Sequence, residues 1–207
     1  LKRGFGLKRQ RNLQHDSRLS VTPRNSSCKG GKKKSQYGWR YRQEGQPFFA
    51  IVNIGDSHES RAHGEAGKLR NDPAKMKLFS YHPDLPVVRR NYAKYADAVE
   101  NMDRKVQATL DALKEDGLYD DTIIVYNSDH GGVMARSKRF LYSSGVHCPL
   151  VIRIPEKYRN LYPSAKPGDT VERIVSFVDM PKTWLSLAGA EVPDTYQGTI
   201  FLGSGTE

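Results

Sequence analysis

The feature that most narrows the possible folds is a set of short, nearly unbroken apolar runs with a long helical pattern between them. Phe48-Phe49-Ala50-Ile51-Val52-Asn53-Ile54, Thr122-Ile123-Ile124-Val125-Tyr126, Pro149-Leu150-Val151-Ile152-Arg153-Ile154 and Arg173-Ile174-Val175-Ser176-Phe177-Val178 have the length and β-branched content of buried strands. Between the first two, Tyr92, Tyr95, Ala96, Val99, Met102, Val106, Leu110 and Leu113 recur at three- and four-residue steps, which predicts an amphipathic helix stopped by Asp116-Gly117. A further helix is expected after Val178, with Asp179 as N-cap, Pro181 in its first turn and Gly189 as its stop. Strands alternating with helices predict an α/β fold: a mixed, mainly parallel sheet flanked by helices.

The chain has 207 residues, enough for one domain with a real core. No run approaches the roughly 18 apolar residues of a membrane span, and the N-terminus lacks the apolar core of a signal peptide. Opening on Leu1 instead of Met points to a start inside a longer reading frame. Cys28 and Cys148 make neither a disulfide framework nor a zinc cluster and read as buried or incidental thiols.

The net charge of +10 is concentrated at one end. Residues 1–43 hold thirteen Lys and Arg against Asp16 alone, while the remainder has 20 basic and 22 acidic side chains. A segment so rich in Gly, Ser, Asn, Lys and Arg cannot bury enough surface to offset its ordering entropy, so residues 1–44 are expected to be disordered or non-native, and 45–207 to fold. The basic segment reads either as an arm for polyanions or as a poorly ordered or mistranslated flank. Tyr37, Trp39 and Tyr41 come only at its end, without the regular aromatic interleaving of a stacking platform, so a nucleic-acid partner is not expected.

Ligands of open α/β sheets sit beyond the carboxyl ends of strands. The second apolar run passes directly into Asn127-Ser128-Asp129-His130-Gly131-Gly132. A carboxylate and an imidazole side by side can bind a divalent cation, and the glycines let backbone and substrate approach; the plainer alternative is a turn in which Asp129 caps an amide. His58, in the loop after the first run, is a second candidate or a solvated loop histidine. Lys138-Arg139 follows the Asp-His turn by eight residues and could return a cation to it, or form an ordinary surface pair. His82 has nothing specific to support it.

These signals occur in an order that resembles the sulfatase family. Asn127-Ser128-Asp129-His130-Gly131-Gly132, Ser137-Lys138-Arg139-Phe140-Leu141-Tyr142, Gly145-Val146 and Cys148-Pro149-Leu150-Val151-Ile152 are similar to the family's metal strand, basic residue and return strand. Phe48 to Glu59 resembles its strand and His-containing loop, and the helix from Tyr95 to Leu113, with Met102-Asp103, its helix before the metal strand. Val178-Asp179-Met180-Pro181-Lys182-Thr183 and Tyr196-Gln197-Gly198-Thr199 resemble its late motifs. The likeness covers roughly residues 45–207 and is closest to the heparan N-sulfatase-like branch, notably through Arg136 to Tyr142.

The resemblance implies an alkaline-phosphatase-like fold and hydrolysis of sulfate esters or N-sulfates, the substrate being a sulfated small molecule or glycan. Asp129 and His130 would be ligands of a divalent cation, calcium in most of the family, with His130 standing where Asn is commoner. Lys138 would bind a sulfate oxygen, and His58 would lie beside the sulfate and leaving group as hydrogen-bond donor or general acid. A metal and fixed cations suit the charge that develops on a transferring sulfuryl group. The parent enzyme would be periplasmic or secreted.

The family nucleophile, a formylglycine made from the first residue of Cys/Ser-x-Pro-Ser-Arg, has no counterpart here. Cys28 is followed by Lys29-Gly30-Gly31-Lys32 and Cys148 by Pro149-Leu150, while Ser20-Val21-Thr22-Pro23-Arg24 has its proline one position late. The family's paired N-terminal aspartates are absent too, so the chain alone is expected to be inactive. The alternatives are a phosphodiesterase or phosphonate monoester hydrolase of the same superfamily, or a non-catalytic protein binding polyanions through residues 1–43.

Overall fold

The computed structural model describes residues 20–21, 37–62, 67–162, 165–203 and 205–206. Of the N-terminal segment expected to be disordered or non-native, residues 20–21 and 37–44 are described, and the rest of that expectation lies outside the described residues. The chain divides into two units: Leu1–Asn53 with Ser176–Ile200, and Ile54–Val175 with Phe201–Glu207.

In the first unit, strand β1 (Ser20–Val21) pairs parallel with β2 (Phe48–Phe49). The 3-10 turn Gly38–Tyr41 carries Trp39, which is 2% exposed. Trp39 stacks on Tyr37 at 4.6 Å and tilts against Phe48 at 6.0 Å, so the end of the basic segment contributes aromatic core here.

The second unit is organised by two elements. The first short helix, α1 (Glu59–Ala62), precedes α2 (Pro86–Glu115), a 30-residue helix about 45 Å long at 1.5 Å per residue. Pro86 opens α2, where a missing N–H costs nothing. At the far end Gly117 takes φ 67°, and Gly117 N and Leu118 N donate to Lys114 O and Leu113 O, the paired bonds that close a helix over a left-handed residue. Strand β3 (Ile124–Asn127) then pairs antiparallel with β4 (Leu150–Arg153), with Ile124 opposite Arg153 and Asn127 opposite Leu150. Arg153 fastens the pair: its guanidinium donates to Tyr119 O at 2.7 Å and Asp120 Oδ1 at 2.7 Å, and lies 3.7 Å from the Tyr119 ring centroid. Between the strands sits the four-residue helix α3 (Ser143–Val146).

Helix α4 (Asp179–Leu187) belongs to the first unit, with Pro181 in its first turn as expected. Ala190 N donates to Leu185 O and Gly189 N to Ser186 O, repeating the closure seen at Gly117. The expected N-cap differs. Asp179 is the first helical residue, and its carboxylate accepts from Ser176 N at 2.7 Å and Thr199 N at 2.8 Å, tying two loops together.

The described residues form a mixed α/β arrangement, with one parallel and one antiparallel strand pair. Two of the four apolar runs fall short as strands. The first pairs only through Phe48–Phe49, and Arg173–Val178 has no strand pairing among the described residues. The reason is visible in the exposure of Ile51 (68%) and Ile174 (93%): a buried-type strand needs neighbours on its edges and faces, and none is described for these. No described helix is long and apolar enough to cross a membrane.

Candidate active site

The four candidate residues all lie in the second unit, on three loops, two of them tied by backbone hydrogen bonds and the third by side-chain packing and ion pairs. Asp129 and His130 form the turn after β3, where Ser128 Oγ donates to His130 O at 2.6 Å. The turn is stitched to the residues C-terminal to it: Gly131 N donates to Gly145 O at 2.9 Å, and Lys138 N to Gly132 O at 2.9 Å. These bonds require close approach. A Cβ on Gly131 would run into Ser144 O and Gly145 Cα, and one on Gly145 into the carbonyls of Phe140 and Ser137.

The His58 loop is brought in by packing. Ala62 of α1 is fully buried against Val133 and Met134 from beyond the Asp-His turn, with Tyr92 and Tyr95 of α2 alongside. Lys105 Nζ on α2 bonds Asp56 Oδ2 at 2.6 Å, holding the start of that loop. Glu59, directly after His58, then meets both basic residues: its Oε2 lies 3.4 Å from Lys138 Nζ and 2.9 Å from Arg139 Nη2. Lys138 keeps 21% of its side chain exposed, and Arg139 keeps 70%.

The two histidines are held in opposite senses. Ser60 N–H donates to His58 Nδ1 at 3.2 Å, and Ser60 Oγ lies 3.0 Å from the same nitrogen. A backbone N–H can only donate, so Nδ1 is the acceptor and the proton of the neutral ring sits on Nε2. His130 is the reverse. Its Nδ1 is 2.7 Å from Gly131 O, and a carbonyl can only accept, so Nδ1 carries a proton. In the neutral ring the lone pair is then on Nε2, 3.7 Å from Asp129 Oδ1. Donating Nδ1–H to a carbonyl is the arrangement that orients metal-binding imidazoles.

The remaining titratable groups have structural explanations. His82 Nε2 lies 3.0 Å from Ala135 O and therefore donates, while Nδ1 accepts from Tyr92 Oη at 2.6 Å, making His82 a strut between two loops. Burial pushes the Cys148 thiol up, and the Asp129 carboxylate adds to that direction. Burial also raises the Tyr95 phenol, with Tyr126 contributing. Reading the sequence had overlooked Glu59, the shared partner of both cations, and Ser60, which sets the His58 tautomer. Their positions immediately after a candidate histidine were the available signal.

Asp129 and His130 fit one edge of a cation site: donors 3.7 Å apart can share an ion whose bonds to oxygen are about 2.3–2.6 Å long. Among the described residues no group of three or more His, Cys, Asp or Glu could hold a metal. The fit is therefore partial.

The chain belongs to the sulfatase family, whose profile matches residues 36–190. It is 31% identical over 201 residues to the ulvan-active sulfatase of Formosa agariphila, covering 80% of this chain and 33% of that protein. It is also similar to human N-sulphoglucosamine sulphohydrolase, at 27% over 169 residues, 70% of this chain and 32% of the relative. The N-acetylglucosamine-6-O-sulfatase of Bacteroides thetaiotaomicron matches at 36% over 108 residues, 50% and 18% of the respective chains. Against the first two of these, the chain spans about a third of the relative's length. A solved structure of phosphonate monoester hydrolase from Silicibacter pomeroyi overlays with TM-score 0.47 and 29% identity, over 66% of this chain and 27% of that one.

Proposed function

We propose that residues 45–207 form the C-terminal metal- and sulfate-recognising part of a sulfatase catalytic domain, whose parent enzyme hydrolyses sulfate esters or N-sulfates of glycans. The observation that carries this reading is the opposed pinning of the two imidazoles. His130 keeps a ring lone pair on Nε2 beside the Asp129 carboxylate, and His58 keeps its N–H on Nε2. Asp129 and His130 would hold a divalent cation, calcium by analogy with the family, with further ligands needed to complete its shell. When bound, that cation supplies charge stabilisation to the sulfuryl oxygens. Lys138 binds a sulfate oxygen and orients the group, and His58 Nε2–H donates to the leaving-group oxygen or nitrogen. By analogy with the family, the parent enzyme would be periplasmic or secreted.

Neither cysteine lies in Cys/Ser-x-Pro-Ser-Arg, so no formylglycine nucleophile can form on this chain's cysteines and the chain alone is expected to release no sulfate. Sulfate release from sulfated oligosaccharides, followed by ion chromatography, should stay at the buffer rate with or without calcium. Binding tests the site itself. Calorimetric titration of glucosamine-6-sulfate in the presence of calcium should give a signal that falls at least tenfold in Lys138→Ala and in Asp129→Asn. Equal binding by wild type and both variants would remove the basis of the assignment.

A further inference from the structure

Beside the Lys138 loop lies a feature that the reaction chemistry does not use. Four aromatic rings and one guanidinium form a continuous ladder across two loops. Phe79 stacks on Tyr81 with centroids 5.3 Å apart and planes 15° apart, and Phe140 stacks on Tyr142 at 6.2 Å and 26°. Between the pairs, the Arg136 guanidinium carbon sits 4.7 Å from the Tyr81 centroid and 4.2 Å from the Tyr142 centroid. All four rings are exposed: Phe79 49%, Tyr81 39%, Phe140 51% and Tyr142 48%.

Single exposed aromatics are ordinary, but this set is ordered at some cost. Arg136 adopts φ 66°, a left-handed conformation that disfavours any residue with a Cβ, and Ser144 Oγ donates to its carbonyl at 2.6 Å to hold it. The two loops are locked to each other by the His82 contact to Ala135 O at 3.0 Å, with the His82 ring edge-on to Tyr81 at 4.6 Å. The charges differ as well. Lys138 and Arg139 both meet Glu59, whereas Arg136 makes no ion pair among the described residues. A guanidinium sandwiched between rings keeps its N–H edge free for an anion while its faces are covered, the arrangement suited to planar recognition of sulfate or carboxylate.

We infer that the ladder Phe79–Tyr81–Arg136–Tyr142–Phe140 is a sugar-binding platform for an anionic, sulfated glycan residue neighbouring the one held at Lys138. The inner ring faces are taken up by the stack, so the sugar lies along the ladder's exposed edge, where the rims of Tyr81 and Tyr142 flank the guanidinium, and Arg136 takes that residue's sulfate or carboxylate. The reference to a neighbouring residue rests on the sulfatase reading; the platform does not.

The test is binding of monosulfated disaccharides from heparan and ulvan digests, each beside its desulfated counterpart, to the 207-residue chain at 150 mM salt, where short ligands limit engagement of the basic segment. Tyr81→Ala and Tyr142→Ala should each weaken both forms of the sugar about fivefold, since each removes a ring rim that flanks the sugar and a face that holds Arg136 in place. Arg136→Ala should weaken both forms about tenfold, because the uronate carboxylate that it holds survives desulfation. Lys138→Ala should weaken the sulfated form alone. Backbone amide NMR spectra verify that each variant remains folded, which the exposure of these side chains leads one to expect. Wild-type affinities in all three platform variants, or no sugar binding by the wild type at millimolar concentration, would overturn the inference. Platform variants that lose binding while Lys138→Ala does not would leave the platform standing and sink the sulfatase assignment of Lys138.

Discussion

Gly145→Ala is expected to damage the molecule out of proportion to the single methyl it adds. Gly145 is buried in α3, and a Cβ there would overlap two backbone carbonyls at once, those of Phe140 and Ser137. Because neither obstacle is a side chain, no rotamer change relieves the clash, and the 137–140 loop or α3 must move. Overpacking of this kind costs about 1–3 kcal/mol. Movement of α3 also strains the bond from Gly131 N to Gly145 O, 2.9 Å long, worth about 0.5–1.5 kcal/mol. Against this, alanine gains about 1 kcal/mol over glycine inside a helix, less in a helix of one turn. The balance is a loss of about 1–4 kcal/mol, roughly 2.5 at the centre, and displacement of Lys138. Urea unfolding of wild type, Gly145→Ala and Gly55→Ala would measure it. Gly55 is the control, since a Cβ there meets nothing within 4 Å and its φ is not positive. Gly55→Ala should be neutral or slightly stabilising. If Gly145→Ala unfolds at the same urea concentration as Gly55→Ala with an unchanged slope, the close approach of these loops is wrong.

Three further outcomes can be checked alongside. Burial alone would push the Asp97 carboxyl up, but hydrogen bonds from Arg70 N, the Asn71 side chain and Asn71 N hold it below its ordinary 3.8. A lowered carboxyl stabilises fully above its unfolded value and loses that stabilisation as pH falls through the folded one, so Asp97→Asn should be less stable at neutral pH by a margin that narrows below about pH 3.8; a pH-independent margin would contradict this. With Cys28→Ser as background, Asp129→Asn should speed alkylation of Cys148, because removing the carboxylate removes one of the two influences that raise the thiol; an unchanged rate would count against the proximity of the two groups. Arg153→Met should cost about 1–2 kcal/mol in urea unfolding, mostly through the bond to Tyr119 O and the contact with its ring, since Asp120 is 90% exposed and its ion pair adds little; Asp120→Asn should then be nearly silent.

The parts of this molecule legible in the sequence were those governed by local rules. The step pattern from Tyr92 to Leu113 and the Asp116-Gly117 and Gly189 stops correspond to α2 and to both helix closures, because periodicity and a left-handed glycine are properties of a few adjacent residues. Thr122–Tyr126 and Pro149–Ile154 likewise correspond to β3 and β4, shifted at the ends. Arg173–Val178 did not become a strand, because an apolar run specifies an appetite for neighbours and not their presence. The site shows the same division. Asp129, His130, Lys138 and His58 were recognisable as residue types in a familiar order. The meeting of Glu59 with Lys138 and Arg139, about 80 residues on, was not, since no pattern in either segment announces the other. The cation ladder was hidden for the same reason, with Tyr81 and Arg136 far apart in sequence.

The carboxylate of Glu59 changes what it means for an anion to reach Lys138. If Lys138 receives the sulfate as proposed, substrate capture is an ion exchange and not an addition, because that lysine already meets a partner: the sulfate would take over contacts that an internal carboxylate gives up. The displaced charge is tethered and stays on hand, also held by Arg139, so fewer mobile salt ions are released than a bare cation pair would shed. Weakly held anions such as chloride gain little from such an exchange, while a glycan bearing more than one anionic group gains more. Under the proposed role of Lys138, selectivity for multiply charged ligands and a shallow dependence on salt would follow from the resting state of this loop.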